Sequence, residues 1–550
     1  MIYDDIIIGG GSSGSVIAAR LSEDPSRKVL LLEGGPFFSN LSNTPSELLD
    51  HDNPVLQGYN WKVDGYIKEA STLETLTNAG KTLKASSSRF SMIKTAIKSS
   101  VGDGNVVGRF DYPVGRVMGG SSSVNGALAL RAMPEDFEAW AKLGNDNWNW
   151  DNALKYFCRL ETDHSHSKTY HGQSGPLPIH HMTPDQFTRV QSAFYNACLE
   201  LGYPPTDDFN APGSHGVGGF PKNIDSNGNR ISSAVAYLYP IHTQRDNLTI
   251  IDNARVSHII IERGRAKGVM AQLSDGSKQL LGNRVTLSAG FIHTPAILMR
   301  SGIGAEHALR KLQIPVQVDA PGVGNNLVDH PVASIWAKPT PSACPAGEMT
   351  HQASLRYSSQ LCPNTHDMSL YMLSAFETHR VAALKDLLPQ TGVALSLSAV
   401  VGTPKSKGKI ELVSSDPSVS PRVYANLLHE TEDMQRMQEG IRIAWSILQN
   451  AKMQSYIDDI PVWHQKVIDS DEKITQILAT FVRGSSHAGG TAKMGPDSDE
   501  QAVVNQWGQV YGCKNIRVAD ASIMPTTVRT STNLTCMMIG EMLAEHMQSS

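Results

Sequence analysis

Apolar residues first gather in a short run, Ile6-Ile7-Ile8, which closes the segment from Tyr3. They gather again at Val29-Leu30-Leu31-Leu32. Uninterrupted apolar runs of this length predict strands covered on both faces, as in a parallel sheet. Between them, Ser15-Val16-Ile17-Ala18-Ala19-Arg20-Leu21 has the spacing of an amphipathic helix. The chain therefore opens as strand, helix, strand. Residues 36–110 are rich in Ser, Asn and Lys and predict long loops with short helices. The basic stretch Lys81–Ser100 within this 77–110 region reads as a surface insertion or a lid. Residues 134–158 predict helix, with Trp140, Leu143, Trp148 and Trp150 packing its core side and turns. Alternation from Leu248 to Gly282 predicts strands at Leu248–Ile251, Val256–Ile261 and Gly268–Met270. Val285–Gly290 predicts a further buried strand, followed by a helix starting near Pro295, with Gly302 at its C-terminal end. Strands are expected at Val393–Val401 and Lys409–Val413, a turn at Pro421–Tyr424 and a helix over Glu430–Gln449. There are no internal repeats.

The length of 550 residues exceeds what one core supports, so two lobes are expected. A net charge of −5 argues against nucleic acid or an anionic membrane as partner. No apolar run reaches the ~18 residues needed to span a bilayer. The chain enters a strand at once, which leaves no room for a signal peptide and implies a cytoplasmic protein. Six scattered cysteines have no zinc-like spacing and predict free thiols in a reducing compartment, with no metal expected.

Chemistry enters at the turn between the first strand and helix. Gly9-Gly10-Gly11-Ser12-Ser13-Gly14 matches the Gly-x-Gly-x-x-Gly pattern. Gly9 permits the tight turn, Gly11 lets a pyrophosphate approach the backbone, and Gly14 lets helix and strand pack closely. The helix N-terminus offers free N–H groups to phosphates. Glu33, at the end of the second strand and 19 residues past Gly14, can accept hydrogen bonds from ribose hydroxyls. A dinucleotide is the expected ligand. A second glycine cluster, Gly115-Arg116-Val117-Met118-Gly119-Gly120 followed by Ser121-Ser122-Ser123-Val124-Asn125-Gly126, predicts another close-approach loop ahead of a helix. A third is Gly290-Phe291-Ile292-His293-Thr294-Pro295.

Taken in order with Ser486-His487-Ala488-Gly489-Gly490, Arg517-Val518-Ala519-Asp520-Ala521-Ser522 and Thr532-Asn533, these clusters resemble the glucose–methanol–choline (GMC) flavin oxidoreductases over almost the whole chain. Within that family the look is that of bacterial hydroxymethylfurfural and aryl-alcohol oxidases. The resemblance implies an α/β fold (α+β overall). A Rossmann-like FAD-binding lobe would form from residues 1–160, 215–310 and 480–550. A substrate lobe of antiparallel sheet backed by helices would form from 161–214 and 311–479.

It also implies that Gly9, Gly11, Ser12, Ser13, Gly14, Glu33 and Gly34 hold the ADP half of FAD, with Val256 at the adenine. Arg116, Gly119, Ser122, Asn125, Gly126, Ala127 and Leu128 would wrap the pyrophosphate and reach the flavin ring. Ala289, Asp520, Ala521, Thr532 and Asn533 would close around the ribityl chain and ring. Val124 stands where some relatives carry a tethering histidine, which implies non-covalent FAD. His487 would be the general base, taking the hydroxyl proton of a primary alcohol as hydride passes to the flavin N5, with oxygen or another acceptor reoxidising it. The family's second active-site residue is His or Asn, six residues past the proline, and here that position after Pro525 is Ser531. Either Ser531 orients the substrate oxygen, or the stretch bulges and Asn533 takes that place. A hydroxynitrile-lyase-like or other non-redox enzyme of the same fold, and a flavin-binding protein without turnover, are the alternatives.

Overall fold

The computed structural model describes residues 2–549 except 56, 70–105, 167, 346 and 389–391. The expected insertion at Lys81–Ser100 lies outside the described residues.

Strand β1 (Ile2–Ile8), helix α1 (Ser12–Leu21) and strand β2 (Val29–Leu32) form as the sequence predicts. Ile6, Ile7 and all four residues of β2 are buried because both sheet faces are covered. Each such side chain contributes about 1.5–3 kcal/mol relative to an exposed position. Leu248–Ile251, β2, β1, the long strand Gly276–Leu287 and Ile516–Val518 pair in parallel. The antiparallel hairpin strands Arg255–Glu262 and Arg265–Leu273 extend this sheet. The strand expected from Val285 is the second half of Gly276–Leu287, which pairs with β1, while the first half pairs within the hairpin.

The second sheet is antiparallel. Its order runs from Pro331–Pro339 through Val393–Val401, Met368–Glu377 and Ala353–Tyr357 to Gly216–Gly219 at one edge. Helix Thr431–Leu448 backs it with Met437, Ile441, Ala444, Ile447 and Leu448. The result is the α/β architecture of a Rossmann-like lobe beside an antiparallel-sheet lobe.

Four local expectations are corrected. The helix expected near Pro295 starts at Gly290, leaving Pro295 inside it. Proline cannot donate to the carbonyl four residues back. That carbonyl, of Phe291, instead accepts from the Thr491 hydroxyl at 2.6 Å, so the helix tolerates the ring. Arg422–Tyr424, expected as a turn, is a strand that pairs with Lys409–Glu411 and with Asp64–Glu69. The second glycine cluster leads into a single 3-10 turn, Gly120–Ser123, and not a longer helix. Residues 134–158 break into Pro134–Lys142 and Trp150–Leu160, and Leu143, in the break, is exposed.

The C-terminal helix Asn533–Gln548 packs on α1. Its buried Glu541 accepts from Arg20 at 2.8 Å and from the Tyr237 hydroxyl at 2.7 Å. A buried carboxylate is tolerated only when paired in this way.

Candidate active site

A single cavity of about 510 Å³ runs from Glu33 and Val256 past the glycine turns to His487. Of the residues singled out from sequence, Gly9, Gly11, Ser12, Ser13, Glu33, Gly34, Asn125, Gly126, Leu128, Val256, Ala289, His487, Asp520, Ala521, Ser531, Thr532 and Asn533 all line it. Five do not line it. Gly14 packs its backbone on Gly9, where a Cβ would come within 1.9 Å of the carbonyl oxygen. Gly119 sits at φ 92° at the start of the 3-10 turn, and Ser122 donates back to its carbonyl at 2.6 Å. Ala127 adopts φ 54° behind Asn125, whose side chain accepts from its N–H at 2.9 Å. Arg116 lies over Trp61 and donates to Gly34 O at 3.0 Å.

Packing separates the roles of the first three glycines. A Cβ on Gly9 would meet Ser288 O at 2.4 Å, so the fold itself demands glycine there, as at Gly14. A Cβ on Gly11 would meet only Gly120 Cα, at 3.8 Å. Among the described residues nothing else approaches Gly11, which lines the cavity at the N-terminus of α1. No acidic residue occupies that first turn, so the helix end presents unopposed N–H groups to an anion. Glu33 accepts from the N–H groups of Gly10 and Gly35, both at 2.8 Å, and thereby shapes the turn. Burial pushes its carboxyl up to about 7. A cavity lined by glycines, a strand-end carboxylate and a helix N-terminus has the groups that a dinucleotide needs.

At the far end the chain supplies its own polar machinery. Asn533, the first residue of the C-terminal helix, accepts from the Ser12 hydroxyl at 2.8 Å, while its Nδ2 is buried without a partner. The Ser531 hydroxyl is also buried and unpartnered. Both line the cavity. Asp520 accepts from Gly290 N at 2.8 Å and Thr294 Oγ1 at 2.6 Å, anchoring the start of the Gly290–Arg300 helix.

His487 is held by groups that sequence reasoning missed. Its N–H donates to Asp329 Oδ1 at 2.9 Å, and Asp329 also accepts from His330 N, Ser485 Oγ and Tyr112 Oη. Burial pushes the Asp329 carboxyl up to about 6. Ser486 is forced to φ 61°, a strained conformation that this carboxylate's grip on the flanking N–H groups sustains. The His487 Nδ1 lies 3.1 Å from His330 Nδ1. His330 Nε2 lies 2.7 Å from Val528 O, a pure acceptor, so Nε2 carries the His330 proton. Neutral His330 then accepts at Nδ1, which places the His487 proton on Nδ1 and leaves Nε2 as a bare lone pair. Burial, then the His330 ring, brings His487 down to about 3, and burial brings His330 to about 4. Both are neutral bases at pH 7. The available signal was Asp329-His330-Pro331, a polar pair set in an apolar stretch. Its nearness to a histidine 157 residues away is not written in spacing.

The second sheet roofs this end with Val332, Tyr371, Leu373, Ser398 and Val400, joined by His351. Among the described lining residues the carboxylates are Glu33 and Asp520, both on the Rossmann-like side.

The profile of the family described as GMC oxidoreductase matches residues 3–332 with its N-terminal part and 404–540 with its C-terminal part. The chain is a GMC oxidoreductase. It is 31% identical to a 5-(hydroxymethyl)furfural oxidase of Methylovorus sp., over 99% of this chain and 98% of that one. It is 32% identical to oxygen-dependent choline dehydrogenase 1 of Chromohalobacter salexigens, over 99% and 94%. Among solved structures, pyridoxine 4-oxidase from Mesorbium loti shares the fold at a TM-score of 0.84 and 24% identity, covering 100% of this chain and 99% of that one. GMC oxidoreductases are FAD-dependent, and the cavity of this one is lined by the glycine turn Gly9–Ser13 and by Glu33. No described helix of this GMC oxidoreductase is long and apolar enough to cross a membrane.

Proposed function

We propose that this GMC oxidoreductase oxidises a neutral primary alcohol, aryl or furanic, to the aldehyde, with His487 as general base. The lone pair that His330 leaves on His487 Nε2, inside the cavity, carries this reading. Gly9, Gly11, Ser12, Ser13, Glu33 and Gly34 hold the ADP half of FAD, with Val256 at the adenine. Asn125, Gly126, Leu128, Ala289, Asp520, Ala521, Thr532 and Asn533 hold the remainder. Gly14, Gly119, Ser122, Ala127 and Arg116 keep those surfaces in shape from behind.

When bound, FAD takes up the hydrogen and electron pair that leave the alcohol carbon. His487 Nε2 accepts the hydroxyl proton, and the neutral imidazole needs no prior deprotonation at pH 7. Ser531 orients the substrate oxygen by one hydrogen bond, while the unpartnered Asn533 Nδ2 would donate to the flavin. Val332, Leu373 and Val400 in the roof suit an uncharged ring. With no described carboxylate in the roof, a quaternary ammonium alcohol lacks a counter-charge there. The lobes are assigned as 1–160, 215–310 and 480–550 for FAD and 161–214 and 311–479 for substrate, the first set lending Gly216–Gly219 to the second sheet. Six free cysteines favour the cytoplasm.

The deciding experiment mixes the purified holoenzyme anaerobically with aryl, furanic, aliphatic and amino alcohols and follows the flavin absorbance. Bleaching by aryl or furanic primary alcohols, with one aldehyde formed per flavin, is expected, and admitted oxygen then tests the acceptor. If no alcohol bleaches the flavin, the oxidase reading fails. Aldehyde release from a cyanohydrin without bleaching points to the lyase alternative.

Val124 is packed with Leu48 and Val117 and offers no nucleophile where a tethering histidine would stand. Acid precipitation is therefore expected to release all the flavin as free FAD. Flavin retained on the denatured chain contradicts this.

Removing one neutral hydrogen bond costs about 0.5–1.5 kcal/mol, so Ser531→Ala is expected to slow flavin reduction by roughly 2- to 12-fold at full FAD occupancy. A silent Ser531→Ala beside a crippled, FAD-replete Asn533→Ala would reverse the two assignments.

A further inference from the structure

Five of the 19 histidines fall between residues 164 and 181, away from the cavity. Three of them crowd together. The His166 and His181 rings meet edge to face at 4.2 Å, and His171 lies 5.4 Å from His166. Around them stand Glu161, Asp163, Asp208 and the buried Arg131.

Most of these groups are saturated. Glu161 Oε1 accepts from Arg131 and from Gly172 N. His171 has carboxylates at both nitrogens, Asp163 at 2.9 Å and Glu161 at 3.1 Å from Nδ1, and Asp208 at 2.9 Å from Nε2. Both ring nitrogens of His171 already face carboxylates, so it offers no free donor atom to an ion.

His181 differs. Its Nε2 donates to Asp163 Oδ2 at 2.7 Å, so the neutral ring carries its lone pair on Nδ1. That Nδ1 is buried and has no partner, in a residue only 7% exposed. His166 Nε2 is likewise buried and unpartnered. One donor atom from each of His166, His181 and Asp208 lies within 4.8 Å of those from the others.

We propose that His166, His181 and Asp208 bind a divalent transition-metal ion of the zinc type. Two imidazole nitrogens and one carboxylate oxygen are a zinc donor set, with a fourth position for water. The Asp163–His181 and His171–Asp208 hydrogen bonds are the outer contacts that fix tautomer and orientation in such sites. Tetrahedral zinc places donor atoms about 3.4 Å apart, and rotation of the partly exposed His166 closes the difference. The ion would tie His166 to the strand His180–His181 and to the loop at Asp208. Asn210, two residues on, accepts from Arg131 N at 2.9 Å and donates to Ala129 O at 2.9 Å. The brace therefore stands behind Leu128 of the cavity wall.

The test takes FAD-loaded full-length protein stripped of metal by a chelator and titrates it calorimetrically with Zn²⁺, counting bound metal by mass spectrometry. One Zn²⁺ per chain is expected, with a rise in thermal midpoint. Exposed His180 is the control, and His180→Gln should bind as wild type does. Losing an outer contact costs roughly 10–100-fold in affinity, so His166→Gln and Asp208→Asn should each lose more than about 100-fold and the thermal shift. Unchanged FAD absorbance and near-UV circular dichroism establish that each variant is folded. The proposal is overturned if wild type binds no stoichiometric Zn²⁺, if either ligand variant binds like wild type, or if His180→Gln abolishes binding.

Discussion

His487→Ala keeps its FAD and reduces it roughly 10²–10⁴-fold more slowly with an alcohol substrate, the usual contribution of a positioned general base. The effect exceeds that of Ser531→Ala because the imidazole moves a proton in the transition state while the hydroxyl only orients. FAD retention follows from the geometry: the His487 side chain bonds to His330 and its backbone to Asp329, away from the glycine floor under the dinucleotide. Stopped-flow flavin reduction at matched FAD occupancy reads the result. A wild-type rate in this variant removes His487 from the mechanism.

His330→Leu gives the second large loss, although His330 is absent from the cavity lining. Leucine removes the acceptor for the His487 Nδ1 proton. A buried N–H without a partner is unfavourable, so the proton moves to Nε2 and the base presents the wrong tautomer. Losing the orienting partner of a catalytic histidine costs up to ~10⁴-fold in serine proteases, and roughly 10²–10⁴-fold is expected here. His330→Gln offers a carbonyl oxygen as substitute acceptor and should recover part of the rate. A purely structural role predicts that leucine and glutamine act alike, with FAD loss in step with activity. Equal rates in the two variants therefore defeat the tautomer argument.

The legible parts of this protein are those in which local pattern and tertiary role coincide. Strand β1, the glycine turn, α1 and β2 repeat the periods of a buried strand and a packed helix, and Glu33 stands at a strand end that fixes its position. His487, Ser531 and Asn533 came from short motifs whose loops the structure brings to one cavity. Reading failed where a distant side chain overrode a local rule. Pro295 marks a helix start by local logic, yet the Thr491 hydroxyl satisfies the carbonyl that proline leaves free. Arg422–Tyr424 looks like a turn after Pro421 but finds strands on both sides. Asp329 and His330 carry no periodic signal, since their meaning lies in a pairing across 157 residues. The histidines at 166 and 181 likewise gain chemistry only when Asp208 is folded against them.

The bond between Ser12 and Asn533 spans 521 positions of chain, and Ser13 reaches the carbonyl of Cys536 in the same turn of helix. A contact of such sequence separation closes late, because the long intervening loop must be ordered before the bond forms. Helix α1 therefore cannot reach its final setting by local folding alone. A chain lacking the Asn533–Gln548 helix would leave one wall of the cofactor cradle open and is expected to lose FAD.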